Sequence, residues 1–249
     1  MKAIVTYHSI DGSGSVISVD GDTFRRHVEW LCTANVPVHP LSELVRPECS
    51  EGVALTFDDG FANFATDAWP ILREHGLPAT VFVVSDWVGR DNGWDSRDSR
   101  LPRLPLMDWS TLADLAGEGV ELGGHSCTHP DLRSLTGDLL HYELEGCRDA
   151  IAGETGTVPT AFAYPYGHYD AGTTGAAEAG GYTIAVTTEM ALLDPGPTSC
   201  LELPRLDAYY LRRPAVLERW GTGSFRRFVW FRSGARRIRK FLVRAGPPL

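Results

Sequence analysis

An apolar run that ends in two adjacent carboxylates constrains this chain more than any other feature. Residues 53–57 are Val-Ala-Leu-Thr-Phe, and Asp58, Asp59 and Gly60 follow at once. The run has the length and composition of a buried strand, and the glycine after it favours a turn. Neighbouring strand residues point in opposite directions, so two acids at a strand end can do two jobs: one can bind a metal and the other can move protons.

Short apolar segments alternate with amphipathic segments over some 200 residues. We predict strands at residues 3–7, 53–57, 79–84, 120–123, 161–163, 183–187 and 203–206. We predict helices at residues 61–75 with a kink at Pro70, from an N-cap at Ser110 to Gly117, and at 136–153 and 171–179. This alternation indicates an α/β fold with a parallel sheet, open or closed as a barrel. Ligands of such folds bind at the carboxyl ends of the strands, which is where His8, Asp58, His125 and Tyr166 fall.

Two histidines supply candidate ligands for a metal ion. His125 and His129 are four residues apart, and on a helical turn they would share a face and bind one ion. A carboxylate from another strand would complete a set of two histidines and one acid with open positions, as zinc-type hydrolases need. Alone, this spacing is more often structural or solvated. Joined to the two acids, it indicates a metal site.

Two motifs now resemble a known family. Thr56-Phe57-Asp58-Asp59-Gly60 and His125-Ser126-Cys127-Thr128-His129-Pro130 resemble the first two motifs of the polysaccharide deacetylases, the NodB-homology group of carbohydrate esterase family 4. The resemblance covers residues 2–210. It implies a distorted (β/α)7-type barrel and metal-dependent removal of an N-acetyl group from an amino sugar. It also implies that Asp58 is the general base and that Asp59, His125 and His129 bind the metal, usually zinc.

The third family motif departs from the usual Arg-x-Pro-Tyr. The chain has Ala163-Tyr164-Pro165-Tyr166-Gly167, and by resemblance the backbone N–H of Tyr166 would help to hold the oxyanion. The arginine that usually orients the base is replaced by alanine. Arg205 is our candidate substitute, and an ordinary surface or ion-pair arginine is the equal alternative.

The general acid is also displaced in the sequence. No histidine follows His168, so the usual C-terminal acid is absent from the sequence. His8, after the first strand, resembles the general acid of permuted members such as the poly-N-acetylglucosamine deacetylases. A histidine with a pKa near neutrality suits protonation of a leaving amine. A buried structural role for His8 is the alternative.

Charge divides the chain into two parts. Residues 225–244 contain eight basic residues and no acid, although the whole chain has a net charge of −9. We therefore predict a catalytic domain at residues 1–215, with an inserted loop at 86–108, and a basic tail at 216–249. The acidic body argues against nucleic-acid binding. The tail has an apolar stripe, which Ser233-Gly234 would interrupt: Phe228, Phe231, Ala235, Ile238 and Leu242. It would either contact an anionic membrane through residues 219–249 or pack on the acidic body.

The chain has no recognisable secretory signal, and its five cysteines form no Cys-x-x-Cys pair, which fits reduced thiols. We therefore expect a cytoplasmic protein, peripheral at the inner face of the membrane if the tail binds there. The leading functional prediction is a metal-dependent carbohydrate N-deacetylase. The alternatives are a hydrolase of another amide or acyl ester on the same fold, and a carbohydrate-binding pseudoenzyme. A polymer, a lipid-linked sugar, a nucleotide sugar and a small glycoside all fit the motifs as substrates.

Overall fold

The computed structural model of the protein describes residues 1–95, 101–193 and 199–245, and the side chains within these ranges apart from residue 95 and residues 235–245. Its strands are β1 (Lys2–Tyr7), β2 (Ser9–Ile10), β3 (Ser18–Val19), β4 (Gly52–Phe57), β5 (Thr80–Val83), β6 (Glu121–Gly124), β7 (Ala161–Ala163), β8 (Ile184–Val186) and β9 (Leu206–Asp207). Each predicted strand is matched to within a few residues. The last one is shorter and later than predicted.

Seven of these strands form one curled, parallel sheet. Their order is β8-β7-β6-β5-β4-β1-β9, and every neighbouring pair is parallel. The sheet and its helices form the predicted (β/α)7-type fold, curled as a half-barrel. β1 pairs with β4 from Lys2 opposite Gly52 to Tyr7 opposite Phe57. This register brings the residue after β1 beside the residue after β4, at one edge of the sheet.

Both faces of the sheet are buried, which explains why its strands are almost entirely apolar. In β1, Val5 and Tyr7 pack into the larger core under the outer helices, whereas Ile4 packs into a smaller core with Leu41 and Phe82. Alternation within a fully apolar strand therefore serves two cores. The residue pattern fixes the register because a slip by one position would exchange them.

The helices are α1 (Gly21–Thr33), α2 (Leu41–Leu44), α3 (Trp69–Glu74), α4 (Trp109–Gly117), α5 (Gly137–His141), α6 (Cys147–Thr155), α7 (Ala171–Ala179), α8 (Pro214–Leu217) and α9 (Gly223–Ala245). A π-helical turn, Phe64–Ala68, precedes α3, so Pro70 lies in the first turn of a helix, where it is tolerated. The predicted N-cap at Ser110 is wrong. Asp108 caps α4 instead, and its carboxylate accepts the N–H of Thr111 at 2.8 Å.

The basic tail is helical, but its packing face differs from the predicted stripe. α9 runs through Ser233 and Gly234 without a break. Phe225 and Val229 are buried in the main core, while Phe231 is 65% exposed. The helix therefore packs through a neighbouring face. The side chains of Ala235, Ile238 and Leu242 lie outside the described residues. Among the residues that are described, no helix combines the length and apolarity needed to cross a membrane.

Candidate functional site

A tight turn after β4 brings both carboxylates to the edge of the sheet. The N–H of Asp58 still donates to the carbonyl of Tyr7 at 2.9 Å, as an extension of the strand pairing. Asp59 then adopts φ 74° and Gly60 also adopts φ 74°. Aspartate tolerates this left-handed conformation better than most residues. Two successive left-handed residues reverse the chain, and the carboxylates of Asp58 and Asp59 remain buried at its bend.

Arg205 forms a two-pronged ion pair with Asp58. Its Nη1 lies 2.6 Å from Oδ1 and its Nη2 lies 2.7 Å from Oδ2. The Nε–H donates to the carbonyl of Thr187 at 2.9 Å, and the guanidinium is only 1% exposed. A planar guanidinium held at three points fixes the orientation of the carboxylate it binds. Arg205 is therefore not a surface arginine: it is a buried ion-pair arginine whose partner is Asp58, and its role as the residue that orients the base stays a prediction.

The electrostatics of this pair keep Asp58 ionised. Burial raises the pKa of the Asp58 carboxyl, but the Arg205 charge and hydrogen bonds outweigh it and hold that pKa well below its usual range. His8 lies at the same edge, with Nε2 3.7 Å from Oδ2 of Asp58 and a quarter of its side chain exposed. A half-buried imidazole beside an oriented carboxylate can exchange a proton with a bound molecule.

Asp59 faces two histidines. Its Oδ1 lies 3.3 Å from Nε2 of His125 and 3.7 Å from Nε2 of His129. One ligand atom from each of the three residues lies within 4.8 Å of the others, and all three side chains are buried. This is the ligand set expected from the two sequence motifs.

The donor set fits a divalent metal. Nδ1 of His125 lies 2.7 Å from the carbonyl of Ala163 and donates to it, so Nε2 is the nitrogen left for a metal; without a metal, the hydrogen bond from Nε2 to Asp59 raises the pKa of His125 despite its burial. Burial lowers the pKa of His129 to about 3, which keeps that ring neutral, as a ligand must be. Two imidazole nitrogens and one carboxylate suit a zinc-type ion with positions left for a substrate, and such an ion would displace the proton from Nε2 of His125.

The two histidines do not lie on a helical turn, contrary to the prediction. Residues 125–130 form an irregular loop after β6, with Ser126 at φ 66° and His129 at φ 62°. The N–H of His129 donates to Oγ of Ser126 at 2.9 Å. The loop, rather than helical periodicity, brings the rings to 4.8 Å between centroids.

The sequence analysis missed a residue that holds this loop. Oε2 of Glu143 accepts the N–H of Cys127 at 2.8 Å and of Thr128 at 2.9 Å, and Oε1 accepts the hydroxyl of Thr128 at 2.6 Å. Glu143 is 5% exposed. The only signal in the sequence was an acid within the predicted helical segment 136–153, and its burial is visible only in the structure. Cys127, between the two histidines, is buried and packs in the main core.

Aromatic rings lie against the candidate metal site formed by Asp59, His125 and His129. The ring of Tyr166 lies 4.6 Å from that of His129, and the ring of Trp94 lies 5.0 Å from it on another side. Tyr166 has φ 58° and is 43% exposed. Trp94 belongs to the segment predicted as a loop over the site, of which residues 96–100 lie outside the described part.

The structure thus brings all seven predicted site residues to one edge of the sheet: His8, Asp58, Asp59, His125, His129, Tyr166 and Arg205. Their chemical roles stay predictions. Two of them, His8 and Arg205, come from the first and last parts of the fold, which the strand order β4-β1-β9 places side by side.

Comparisons with known proteins give sequence relatives and a solved structure of the same fold. YxkH of Bacillus subtilis is 28% identical over 193 residues, which cover 75% of this chain and 64% of that protein. A chitin deacetylase of Colletotrichum lindemuthianum is 26% identical over 182 residues, covering 73% and 66%. The chain thus spans just under two thirds of these relatives. The solved structure of IcaB from Ammonifex degensii shares the fold, with a TM-score of 0.72 and 20% identity over 88% of this chain and 94% of that one.

A family model described as polysaccharide deacetylase matches residues 46–185, more than half of the chain. The matched segment contains both carboxylates of the Asp58–Asp59 pair and both histidines of the candidate metal site. It also contains the departing third motif around Tyr166. The predicted family is therefore confirmed: this chain belongs to the polysaccharide deacetylases.

Proposed function

We propose that this protein is a divalent-metal-dependent hydrolase that removes the N-acetyl group from an N-acetylated amino sugar. The observation that carries the proposal is the pairing of Asp58 with Arg205 beside the Asp59–His125–His129 set. A binding module needs no buried carboxylate that is held ionised next to a metal-ligand set. A hydrolase needs both, one to move protons and one to position a cation.

The residues divide the work as follows. Asp58, fixed by Arg205, takes the proton of the attacking water. His8, on the other side of the same carboxylate, gives a proton to the departing amine. The backbone N–H of Tyr166 stabilises the oxyanion. Trp94 and Tyr166 restrict the space around the reacting group.

A bound divalent ion would be held by Asp59, His125 and His129, and it would polarise the acetyl carbonyl and acidify a water. This matches the character of Asp58. A carboxylate with a strongly lowered pKa is a weak base, so it suits removal of a proton only from an acidified water. The arginine pairing and the metal-ligand set therefore complement each other chemically.

The substrate class follows from the relatives. The fungal relative is named as a chitin deacetylase, and a Bradyrhizobium relative, 31% identical over 120 residues, is named as a chitooligosaccharide deacetylase. Both names specify N-acetylglucosamine units. We therefore propose an N-acetylglucosamine-containing glycan as the substrate of this chain.

The deciding experiment measures acetate release and bound zinc together. We expect the wild type, loaded with zinc, to release acetate from N-acetylglucosamine oligomers. Asp58→Asn should keep its zinc and lose about 10²- to 10⁴-fold in kcat, the usual contribution of a general base. His125→Ala should lose zinc and activity together.

Each outcome separates one hypothesis from another. No acetate from any N-acetylated sugar, with turnover of a generic acetyl ester, would replace the sugar amide by another acyl substrate. Zinc binding with no turnover of either would indicate a carbohydrate-binding pseudoenzyme. Full activity of Asp58→Asn with zinc retained would remove Asp58 from the role of base.

A further inference from the structure

A second cavity lies outside the site, between the end of β9 and the first turns of α9. Its volume is about 540 Å³. Its wall includes four arginines and two tyrosines: Arg212, Arg213, Arg219, Arg232, Tyr209 and Tyr210. Among the described residues, none of those that line it is acidic. In a chain with nine more acidic than basic residues, such a concentration of positive charge fits an anion.

Two of the four arginines of this cavity are fixed by contacts with tyrosine residues. The guanidinium carbon of Arg212 lies 3.7 Å from the ring centre of Tyr209, and its Nε donates to the carbonyl of that residue at 2.9 Å. The guanidinium carbon of Arg232 lies 4.6 Å from the ring centre of Tyr210. A guanidinium stacked on a ring keeps N–H groups at its edge for an oxyanion. Its planar fork matches the geometry of a phosphate.

The cavity adjoins the edge of the sheet that carries the site. β9 pairs with β1 through Thr6 opposite Asp207, and the turn Ala208–Tyr210 contacts β1. His8 follows β1 at this same edge. The wall of the cavity therefore begins directly after the last strand of the sheet.

Large apolar side chains flank the same arginines. Trp230 and Phe231 on α9 are 70% and 65% exposed, and their rings contact each other at 5.0 Å. Arg226 and Arg227, one turn earlier, are also exposed. Exposed tryptophan and phenylalanine among arginines match the region of a bilayer where phosphates meet acyl chains. A small soluble anion would need the cavity but would gain nothing from these two rings.

We propose that this surface, formed by the cavity and by Trp230 and Phe231, docks the protein on an anionic lipid membrane, with a headgroup phosphate in the cavity. The arginines supply charge complementarity and the two rings insert at the level of the headgroups. The proposal concerns binding alone and does not depend on the chemistry of the site.

The test measures co-sedimentation of the full chain with mixed phosphatidylglycerol–phosphatidylcholine vesicles and with pure phosphatidylcholine vesicles. We expect binding to the mixed vesicles only, and weaker binding at high salt. The variant Arg213→Gln/Arg232→Gln should bind about thirty-fold more weakly, given what each surface arginine contributes near an anionic bilayer. Trp230→Ala/Phe231→Ala should also bind more weakly.

A matched control removes the same charge elsewhere. Arg46 and Arg73 are exposed like Arg213 and Arg232, but they do not line the cavity. Arg46→Gln/Arg73→Gln should therefore change vesicle binding less than twofold, and thermal unfolding should show that all variants fold.

Three outcomes would overturn the proposal. The first is an equal loss of binding in both arginine double variants, which would indicate only general attraction by net charge. The second is unchanged binding of Arg213→Gln/Arg232→Gln. The third is calorimetric binding of inorganic phosphate or pyrophosphate without binding to anionic vesicles, which would make the cavity a site for a soluble anion.

Discussion

The two neighbouring carboxylates of the site contact residues from very different parts of the sequence. Asp59 faces the metal half, in which His125 and His129 come from one short loop. Asp58 faces the arginine half, in which His8 and Arg205 come from opposite ends of the fold, the latter 147 residues away in sequence. The family model matches residues 46–185, so it includes the whole metal half but neither partner of Asp58.

This difference shows that the two halves depend on different structural constraints. The metal half depends on the internal shape of a loop, so its residues must stay close in sequence. The arginine half depends only on the strand order, in which β1 lies between β4 and β9. Any segment that reaches this edge can supply the arginine or the histidine, because both act through their side-chain ends.

The largest expected effect comes from breaking the arginine half at Arg205. Arg205→Met leaves the buried charge of Asp58 without its partner, which we expect to reduce the free energy of unfolding by about 3–5 kcal/mol. Arg205→Lys keeps the charge but loses the two-pronged geometry, so it should fold and lose roughly 10²-fold in kcat through misplacement of the base. Denaturant unfolding and acetate release measure the two effects.

The control is Arg73→Lys, because Arg73 forms an exposed ion pair with Glu118 at 3.0 Å. Exposed pairs contribute about 0–1 kcal/mol, so this variant should match the wild type in stability and rate. Zinc content should be unchanged in all of these variants. If Arg205→Lys kept the wild-type kcat, orientation of Asp58 by the fork would be wrong, and the two halves would no longer differ in this respect.

Much of this comparison could be predicted from the sequence. The apolar runs around Val5 and Leu55 located β1 and β4, and the polar residues after them located the site, because parallel strands end at one edge. The helix α1 was missed although Asp20 caps it and Phe24 and Val28 face the core. Phe24, Val28 and Leu31 recur at intervals of four and three residues, so the helical period was present in the sequence and this helix could have been predicted.

Other features could not be read from residue types. The left-handed residues Ser126 and His129 shape the metal loop, yet neither residue type signals that conformation. Glu143 binds mainly backbone N–H groups, which every residue carries, so no partner in the sequence could identify it. The sequence left two interpretations of Arg205 open, because a contact between residues 147 positions apart leaves no trace in local spacing.

A smaller effect should come from a histidine that belongs to neither half. Nδ1 of His27 lies 2.9 Å from the hydroxyl of Tyr7, and its Nε2 lies 3.2 Å from the carbonyl of Leu211. Burial lowers the pKa of His27 to about 4, against about 6.5 in the unfolded chain. The unfolded state therefore binds the proton first, and stability is lost as pH falls from about 6.5 to about 4.

This loss should amount to about 3 kcal/mol between pH 7 and pH 4, from the difference between the two pKa values. Urea unfolding of the wild type and of His27→Gln across this range isolates it, because other groups contribute equally to both proteins. Parallel stability curves for the two would show that His27 is not the source. The measurement also distinguishes unfolding at low pH from a loss of catalytic activity at low pH in the folded protein.

The smallest expected effect concerns the metal half, where Glu143 holds the loop that carries His125 and His129. Glu143→Gln replaces an acceptor of three hydrogen bonds by a group that can accept fewer, so the loop from Ser126 to His129 should loosen. Because groups that orient metal ligands commonly contribute 10–100-fold to metal affinity, we expect zinc affinity to fall by roughly that factor. Competition with a fluorescent chelator measures it.

The matched control is Glu145→Gln, two residues along the same segment, where the acid pairs with His141 at 3.0 Å and does not contact the loop. It should retain wild-type zinc affinity. In Glu143→Gln, excess zinc should restore kcat, because Asp58 and Arg205 are untouched. A kcat that stays low at saturating zinc would mean that the loop also positions the substrate, and that the two halves are coupled through it.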